Sequence, residues 1–355
     1  MPITKLSLPD FFTKAIHAPI LDVRSPGEYT HAHIPGAYSL PLFTDEERKV
    51  VGTAYKQESR EKAIKIGLEY FGKKMVGIVE EVEQLMAQRK AADPENGNKA
   101  VLVHCWRGGM RSAGIAWLLD LYGFTVYTLT GGYKAYRNWV LKQFEKEYYF
   151  NVLGGYTGSG KTGLLQQLAK HGETVIDLEA LAGHKGSAFG NLQRLPQPSQ
   201  EMFENKLAMA LANASAQPGA TTWVEDESQR IGHVNIPMPL FKTIRQQQLF
   251  FLEVPFEERL NHLVAEYGDA NKEALEAAIL RIKKRLGGLD MKNAINFLKE
   301  NEMKECFRIL LNYYDKAYRK TMPLPGEPQK PIIKIEADTT DAATNVQSFL
   351  LHQKS

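Results

Sequence analysis

Phe150-Asn151-Val152-Leu153-Gly154-Gly155-Tyr156-Thr157-Gly158-Ser159-Gly160-Lys161-Thr162 joins an apolar strand to a glycine-rich loop that ends in lysine and threonine. The helical run Leu164-Leu165-Gln166-Gln167-Leu168 follows at once. From Gly155 to Thr162 the stretch fits G-x-x-x-x-G-K-[ST] in the strand, loop and helix setting that gives the pattern its meaning. Gly155, Gly158 and Gly160, with Ser159 between the last two, let backbone N–H groups wrap phosphate oxygens, while Lys161 neutralises charge and Thr162 can hold Mg²⁺. The loop recognises a diphosphate and leaves open what is attached to it.

Downstream, Thr174-Val175-Ile176-Asp177, Thr222-Trp223-Val224-Glu225, Gln248-Leu249-Phe250-Phe251-Leu252 and Pro331-Ile332-Ile333-Lys334-Ile335 read as further strands. From Leu260 to Lys320 the pattern is helical, an inserted or appended layer. The strand at Thr222 runs into Glu225-Asp226-Glu227, where P-loop folds carry a metal-holding or water-orienting carboxylate, so Glu225 and Asp226 are the candidates. Leu181-Ala182-Gly183-His184-Lys185-Gly186-Ser187-Ala188-Phe189-Gly190 is glycine-rich and basic, and His184, Lys185 and Ser187 are candidates for a loop facing substrate.

Upstream a separate alternation begins with the strand Ile20-Leu21-Asp22-Val23-Arg24. A helix follows over about Lys73–Arg89, broken by Ala92-Asp93-Pro94-Glu95-Asn96-Gly97-Asn98. Next come the strand Ala100-Val101-Leu102-Val103-His104, a helix over Ser112–Leu121, the strand Thr125-Val126-Tyr127-Thr128-Leu129 and a helix over Tyr133–Lys146. Strands alternating with helices predict parallel sheets covered on both faces. The fold class is α/β: an N-terminal parallel-sheet domain over 1–146, then a P-loop NTPase-like domain over 147–355 with a helical insertion at about 260–320.

His104-Cys105-Trp106-Arg107-Gly108-Gly109-Met110-Arg111-Ser112 delivers a cysteine from a strand end into a loop that closes on arginine and opens a helix. Inward backbone N–H groups, with Arg111 and Arg107, lower a thiol pKa and bind an oxyanion or stabilise a persulfide-like anion. The Cys-x5-Arg-Ser spacing also suits a phosphatase loop, so spacing alone leaves sulfur and phosphorus chemistry open. Leu21-Asp22-Val23-Arg24-Ser25-Pro26-Gly27-Glu28-Tyr29, His33-Ile34-Pro35-Gly36-Ala37 and Leu40-Pro41-Leu42 resemble the rhodanese (sulfurtransferase) domain, with Ala32 where that family usually has glycine.

The 355 residues are 43% hydrophobic, carry a net charge of +3 and contain Cys105 and Cys306 alone as cysteines. Two cysteines are too few for a disulfide framework or a four-ligand zinc site. Without a spanning apolar run or a signal-peptide pattern, the expectation is a cytoplasmic protein with no membrane partner. Cys306, in an amphipathic stretch without a glycine loop, reads as core. Arg281, Lys283, Lys284 and Arg285 fall within about one and a half helical turns, and Tyr313, Arg319 and Lys320 place rings and cations further on. These are the candidate nucleic-acid contacts, cations for the phosphate backbone and rings for unstacked bases.

A rhodanese segment with this cysteine loop, followed by this P-loop, resembles the tRNA 2-selenouridine synthase family over essentially the whole chain. His184-Lys185-Gly186-Ser187, Gln197-Pro198-Ser199-Gln200 and Phe203-Glu204 are similar to that family's segments. The resemblance implies a transferase acting on the wobble 2-thiouridine of tRNA anticodons. Its co-substrates would be geranyl diphosphate, which alkylates the sulfur, and selenophosphate, which then supplies selenium; selenophosphate synthetase is the implied protein partner. The P-loop would take the diphosphate, and Cys105 with Arg107 and Arg111 would serve the selenium step, as a transient selenium carrier or as an anion site. Two rivals remain at this stage: a cysteine phosphatase or sulfurtransferase fused to a P-loop kinase, and an ATP-regulated RNA-binding protein.

Overall fold

The computed structural model describes residues 3–92, 99–185, 196–215, 221–268, 270–321 and 332–352. The chain divides into two compact units, Met1–Lys142 and Gln143–Ser355.

The first unit runs β1 (Thr4–Leu6), α1 (Leu8–Ala15), β2 (Ile20–Asp22), α2 (Pro26–His31), β3 (Tyr38–Ser39), α3 (Asp45–Gln57), α4 (Arg60–Ala92), β4 (Ala100–His104), α5 (Met110–Tyr122), β5 (Thr125–Leu129) and α6 (Gly132–Gln143). Its five strands are all parallel, in the order β1-β5-β4-β2-β3. β2 and β4 are buried almost throughout because helices cover both faces, which is why they read as unbroken apolar runs. Leu21, Val101, Val103, Ile115, Leu119 and Val82 form the centre of the core. The edge strands β1 and β3, three and two residues long, are too short to leave a sequence pattern. Helix α4 starts at Arg60, well before Lys73, since Gly67 and Gly72 hide its first turns. A Cβ on Gly67 would stand 3.3 Å from the Phe43 ring, so that glycine serves packing and does not break the helix. Helix α6 ends at Gln143, short of the expected Lys146.

The second unit runs β6 (Phe150–Gly155), α7 (Lys161–Lys170), β7 (Thr174–Ile176), α8 (Leu178–Ala182), α9 (Gln200–Ala214), β8 (Thr222–Glu225), β9 (Arg230–Ile231), β10 (Val234–Asn235), α10 (Met238–Arg245), β11 (Gln248–Glu253), α11 (Phe256–Tyr267), α12 (Lys272–Arg281), α13 (Lys283–Leu286), α14 (Gly288–Lys299), α15 (Met303–Thr321), β12 (Ile332–Glu336) and α16 (Ala342–His352). The main sheet is parallel, ordered β12-β11-β6-β8-β7, with a separate antiparallel hairpin of β9 and β10. Fully buried Trp223 packs against Phe250 and Phe349 at ring distances of 4.9 and 5.9 Å and centres this core. Helices α11 to α15 build a second core around Leu260, Leu275, Phe307 and Leu310, the helical layer expected between Leu260 and Lys320. Cys306 lies inside it, fully buried, and burial pushes its thiol up to about 12. Gln197 and Gln200 staple the β9–β10 hairpin through side-chain bonds to the backbone of Ile231, His233 and Asn235. Residues 93–98, the segment from Gly186 through Ser187 to Gly190, Pro331 and the Lys320 side chain lie outside the described residues.

Candidate functional site

Each unit places its chemistry at the carboxyl end of a central strand, where parallel α/β sheets open toward ligands. In the first unit β4 hands Cys105 to a loop that α5 closes. Gly108 has φ +66°, and a Cβ there would sit 2.7 Å from the Leu129 carbonyl oxygen. Gly132, at φ +58°, passes so close that a Cβ would sit 2.3 Å from the Cys105 carbonyl oxygen. The first turn of α6 secures the outside of the loop: Tyr133 and Lys134 backbone N–H groups donate to the Cys105 and Trp106 carbonyls, both at 2.9 Å.

Sγ of Cys105 accepts from the Gly109 N–H at 3.3 Å and stands 3.3 Å from Ser112 Oγ. Burial alone would raise the thiol pKa. The Ser112 hydroxyl and backbone N–H, the Gly109 N–H and the Arg111 charge outweigh it and hold the thiol below its ordinary value. That is the electronic condition for a reactive thiolate. Arg111 does not point freely at an anion: its Nη1 bonds Glu28 Oε2 at 2.6 Å. Arg107 and Trp106 are exposed at the loop's rim.

Beneath the loop, Arg24 grips Asp22 through contacts of 2.6 to 3.0 Å, bonds the Ala32 carbonyl at 2.7 Å and stacks on the Tyr133 ring at 3.8 Å. Burial opposes the Asp22 charge, yet neighbouring His104 and Arg24 hold its carboxyl low. Ala32 has extended backbone, φ −167°, so the departure from glycine costs nothing there.

The second unit carries the phosphate loop. Gly155, Gly158 and Gly160 have φ of +154, +80 and +81°, and each is hemmed in, Gly158 by the Arg259 carbonyl and Leu263, Gly160 by the Thr340 carbonyl. Lys161 Nζ donates to the Gly155 and Tyr156 carbonyls at 3.0 and 3.4 Å. Ser159 Oγ is buried and has no hydrogen-bond partner among the described residues. Arg259, unmarked by the sequence reading, holds the loop from behind: it donates to the Thr157 carbonyl at 3.1 Å and pairs with Asp315 of α15 at 2.9 and 2.7 Å. The loop opens on a cavity of about 1080 Å³ lined also by α8, the end of β8 and the helical layer.

At that end of β8 the carboxylates regroup. Ligand oxygens of Glu179, Glu225 and Glu227 lie within 4.8 Å of one another, and the Thr162 hydroxyl donates to Glu179 at 3.4 Å and Glu225 at 3.5 Å. Burial, then repulsion by Glu179, pushes Glu225 well above the usual carboxylate range, and the same causes raise Glu227 to about 8. Glu225 Oε2 is buried with no partner among the described residues. Hard oxygen donors, a strained excess of negative charge and an orphaned carboxylate oxygen fit Mg²⁺. Asp226 does not belong to this group, contrary to expectation: it binds Arg245 at 2.7 Å and accepts from the Tyr318 hydroxyl at 2.9 Å. Glu227 takes its place, since residues two apart share a side of an extended chain. Glu179 sits on the short helix α8, where no sequence pattern marks it.

Lys185 is paired with Glu266 of α11 at the cavity wall. His184 is half-buried, and burial first of all lowers its pKa. Arg281, Lys283, Lys284 and Arg285 are all exposed, and Arg285 also lines the cavity. Tyr313 lies partly buried on the cavity wall, while Arg319 reaches Tyr156 Oη at 3.4 Å.

The fold and sites define a rhodanese-like cysteine domain followed by a P-loop domain. A family model described as the tRNA 2-selenouridine synthase AAA domain matches residues 148–325, and one described as the rhodanese-like domain matches residues 9–138. The tRNA 2-selenouridine synthase of Shewanella denitrificans is 38% identical over 292 residues, 76% of either chain. Those of Sulfurovum sp. and Hydrogenovibrio crunogenus are 36% and 37% identical, over 85% and 84% of this chain and 88% of each of theirs. The chain belongs to the tRNA 2-selenouridine synthase family. No helix among the described residues is long and apolar enough to cross a membrane.

Proposed function

We propose that this chain is a cytoplasmic tRNA-modifying transferase that replaces the sulfur of wobble 2-thiouridine by selenium through an S-geranylated intermediate. A thiocarbonyl sulfur leaves poorly, whereas its S-alkyl derivative leaves as a thiol. In the first step the C1–O bond of geranyl diphosphate breaks with its electrons on the diphosphate, the sulfur–carbon bond forms, and N3 of the base loses its proton. Lys161, Thr162 and the loop amides stabilise the departing diphosphate. Mg²⁺ held by Thr162 and Glu225 would shield the same charge. In the second step the selenium of selenophosphate adds at C2, the C2–S bond breaks with its electrons on sulfur so that geranyl thiolate departs and takes a proton, and water cleaves the P–Se bond to release phosphate. Cys105 serves that step, its loop amides with Arg107 holding the selenophosphate anion beside the thiolate, while Arg111, tied to Glu28, contributes its charge to the loop.

The observation that carries this reading is the survival of both anion sites in one chain of this family: an acidified Cys105 in its cradle and a complete phosphate loop. Exposed Arg281, Lys283, Lys284 and Arg285, running to the cavity that the phosphate loop opens on, suit a tRNA backbone, and Tyr313 and Arg319 extend that surface. Selenophosphate synthetase is the matching supplier of selenium. Incubation with 2-thiouridine tRNA, geranyl diphosphate and selenophosphate, followed by nucleoside mass spectrometry, tests the reading. Geranylthio- and selenouridine are expected; recovery of unchanged 2-thiouridine alone would refute it.

A further inference from the structure

Beyond the phosphate loop the same cavity has a carbon-rich wall. Helix α15 turns Tyr313, Tyr314 and Ala317 toward it, with Leu263, Tyr267 and Ile282 from the neighbouring helices. The wall begins at the phosphate loop itself, since Leu263 Cγ lies 3.0 Å from the place a Cβ would take on Gly158. Two polar side chains of that wall are already engaged: the Tyr318 hydroxyl donates to Asp226 at 2.9 Å, and Lys185 is paired with Glu266. A purine ring would bring edge nitrogens and exocyclic groups that need partners when desolvated, whereas a hydrocarbon needs only carbon.

We infer that the α15 face centred on Ala317 seats the hydrocarbon tail of the diphosphate ester and sets its length. The inference rests on the proposed function and adds to it the residues that read the tail. Ala317 carries the smallest side chain of that wall and lies one turn from Tyr313 and Tyr314, so it opens a gap that the two rings bound. Filling the gap shortens the tail that fits; removing a ring lengthens it.

The test is calorimetric binding of inorganic pyrophosphate, ADP and the dimethylallyl, geranyl and farnesyl diphosphates to the full chain and to the variants Ala317→Phe and Tyr313→Ala. In the unaltered chain geranyl diphosphate should bind about tenfold or more tighter than dimethylallyl diphosphate, as burial of an added isoprene unit requires. Ala317→Phe should lose that preference while its pyrophosphate affinity stays. Tyr313→Ala should gain affinity for farnesyl diphosphate, a gain that a misfolded variant cannot give. Equal affinity for pyrophosphate and all three esters would overturn the inference while leaving the phosphate site standing. ADP binding that Ala317→Phe abolishes would overturn it in favour of a base slot. Absence of any binding, pyrophosphate included, would sink the proposed function along with it.

Discussion

Ser112 Oγ stands 3.3 Å from Cys105 Sγ, on the first turn of the helix that closes the cysteine loop. Together with the Gly109 N–H it turns a buried sulfur, which desolvation alone would keep protonated, into one that ionises more readily than a free thiol. Replacing Ser112 by Ala removes one hydrogen bond to an anion, an interaction worth roughly 1.5–3 kcal/mol. Alkylation of Cys105 by iodoacetamide at neutral pH should slow roughly tenfold, and its pH profile should move to higher pH. An unmoved profile would mean that Ser112 does not tune the thiol.

The two anion sites should separate by mutation. On the proposed function, Cys105→Ala should leave geranylated tRNA accumulating, because selenium exchange would stop after alkylation. Lys161→Ala should abolish geranyl transfer, losing on the order of 10² or more in rate with the charge beside the leaving diphosphate. Mass spectrometry of the nucleosides reads both outcomes, and normal selenation by the Cys105 variant would contradict the assignment of that loop.

Much of this was legible in the sequence because it is local. Gly155 to Thr162 and Cys105 to Ser112 are loops whose function lies in backbone conformation, and glycine spacing records that directly. Strands β4 and β8 fall where short runs of buried residues place them, since sheets covered on both faces leave no alternation to misread. The missed partners come from distant segments. Glu28 meets Arg111 across 83 positions, Thr162 meets Glu225 across 63, and Arg259 meets Asp315 across 56. Only tertiary packing brings such pairs together. Asp226 and Glu227 were indistinguishable by type, and what separates them is which one Arg245 and Tyr318 already bind.

The carboxylate group makes the second unit sensitive to pH. Glu227 ionises near 8 in the folded chain, against an ordinary value of 4.5. A raised acid favours folding while it stays protonated, so stability should fall as pH climbs from about 4.5 to about 8. The thermal midpoint should therefore drop across that window. Glu227→Gln should flatten the drop, and Mg²⁺ should restore more stability at pH 8 than at pH 5.5, because it replaces the missing proton as neutralising charge. An equal effect of Mg²⁺ at both pH values would argue against the glutamates as its ligands.

The ion pair of Arg259 and Asp315 is nearly dry, with side chains 4% and 9% exposed. Arg259 also donates to the Val254 and Thr157 carbonyls, so one guanidinium joins the end of β11, the phosphate loop and α15. Truncating Asp315 to Ala leaves that cation buried without its counter-charge, and a broken buried pair typically costs about 3–5 kcal/mol. Denaturant unfolding should show a loss of that order in the second unit, with pyrophosphate affinity falling as the loop loosens. Asp315→Asn keeps the hydrogen-bonding shape but not the charge, and should lie between the two. If Asp315→Ala were stable to within about 0.5 kcal/mol of the unaltered chain, the range of an ordinary surface change, the pair would not be what ties the helical layer to the phosphate loop.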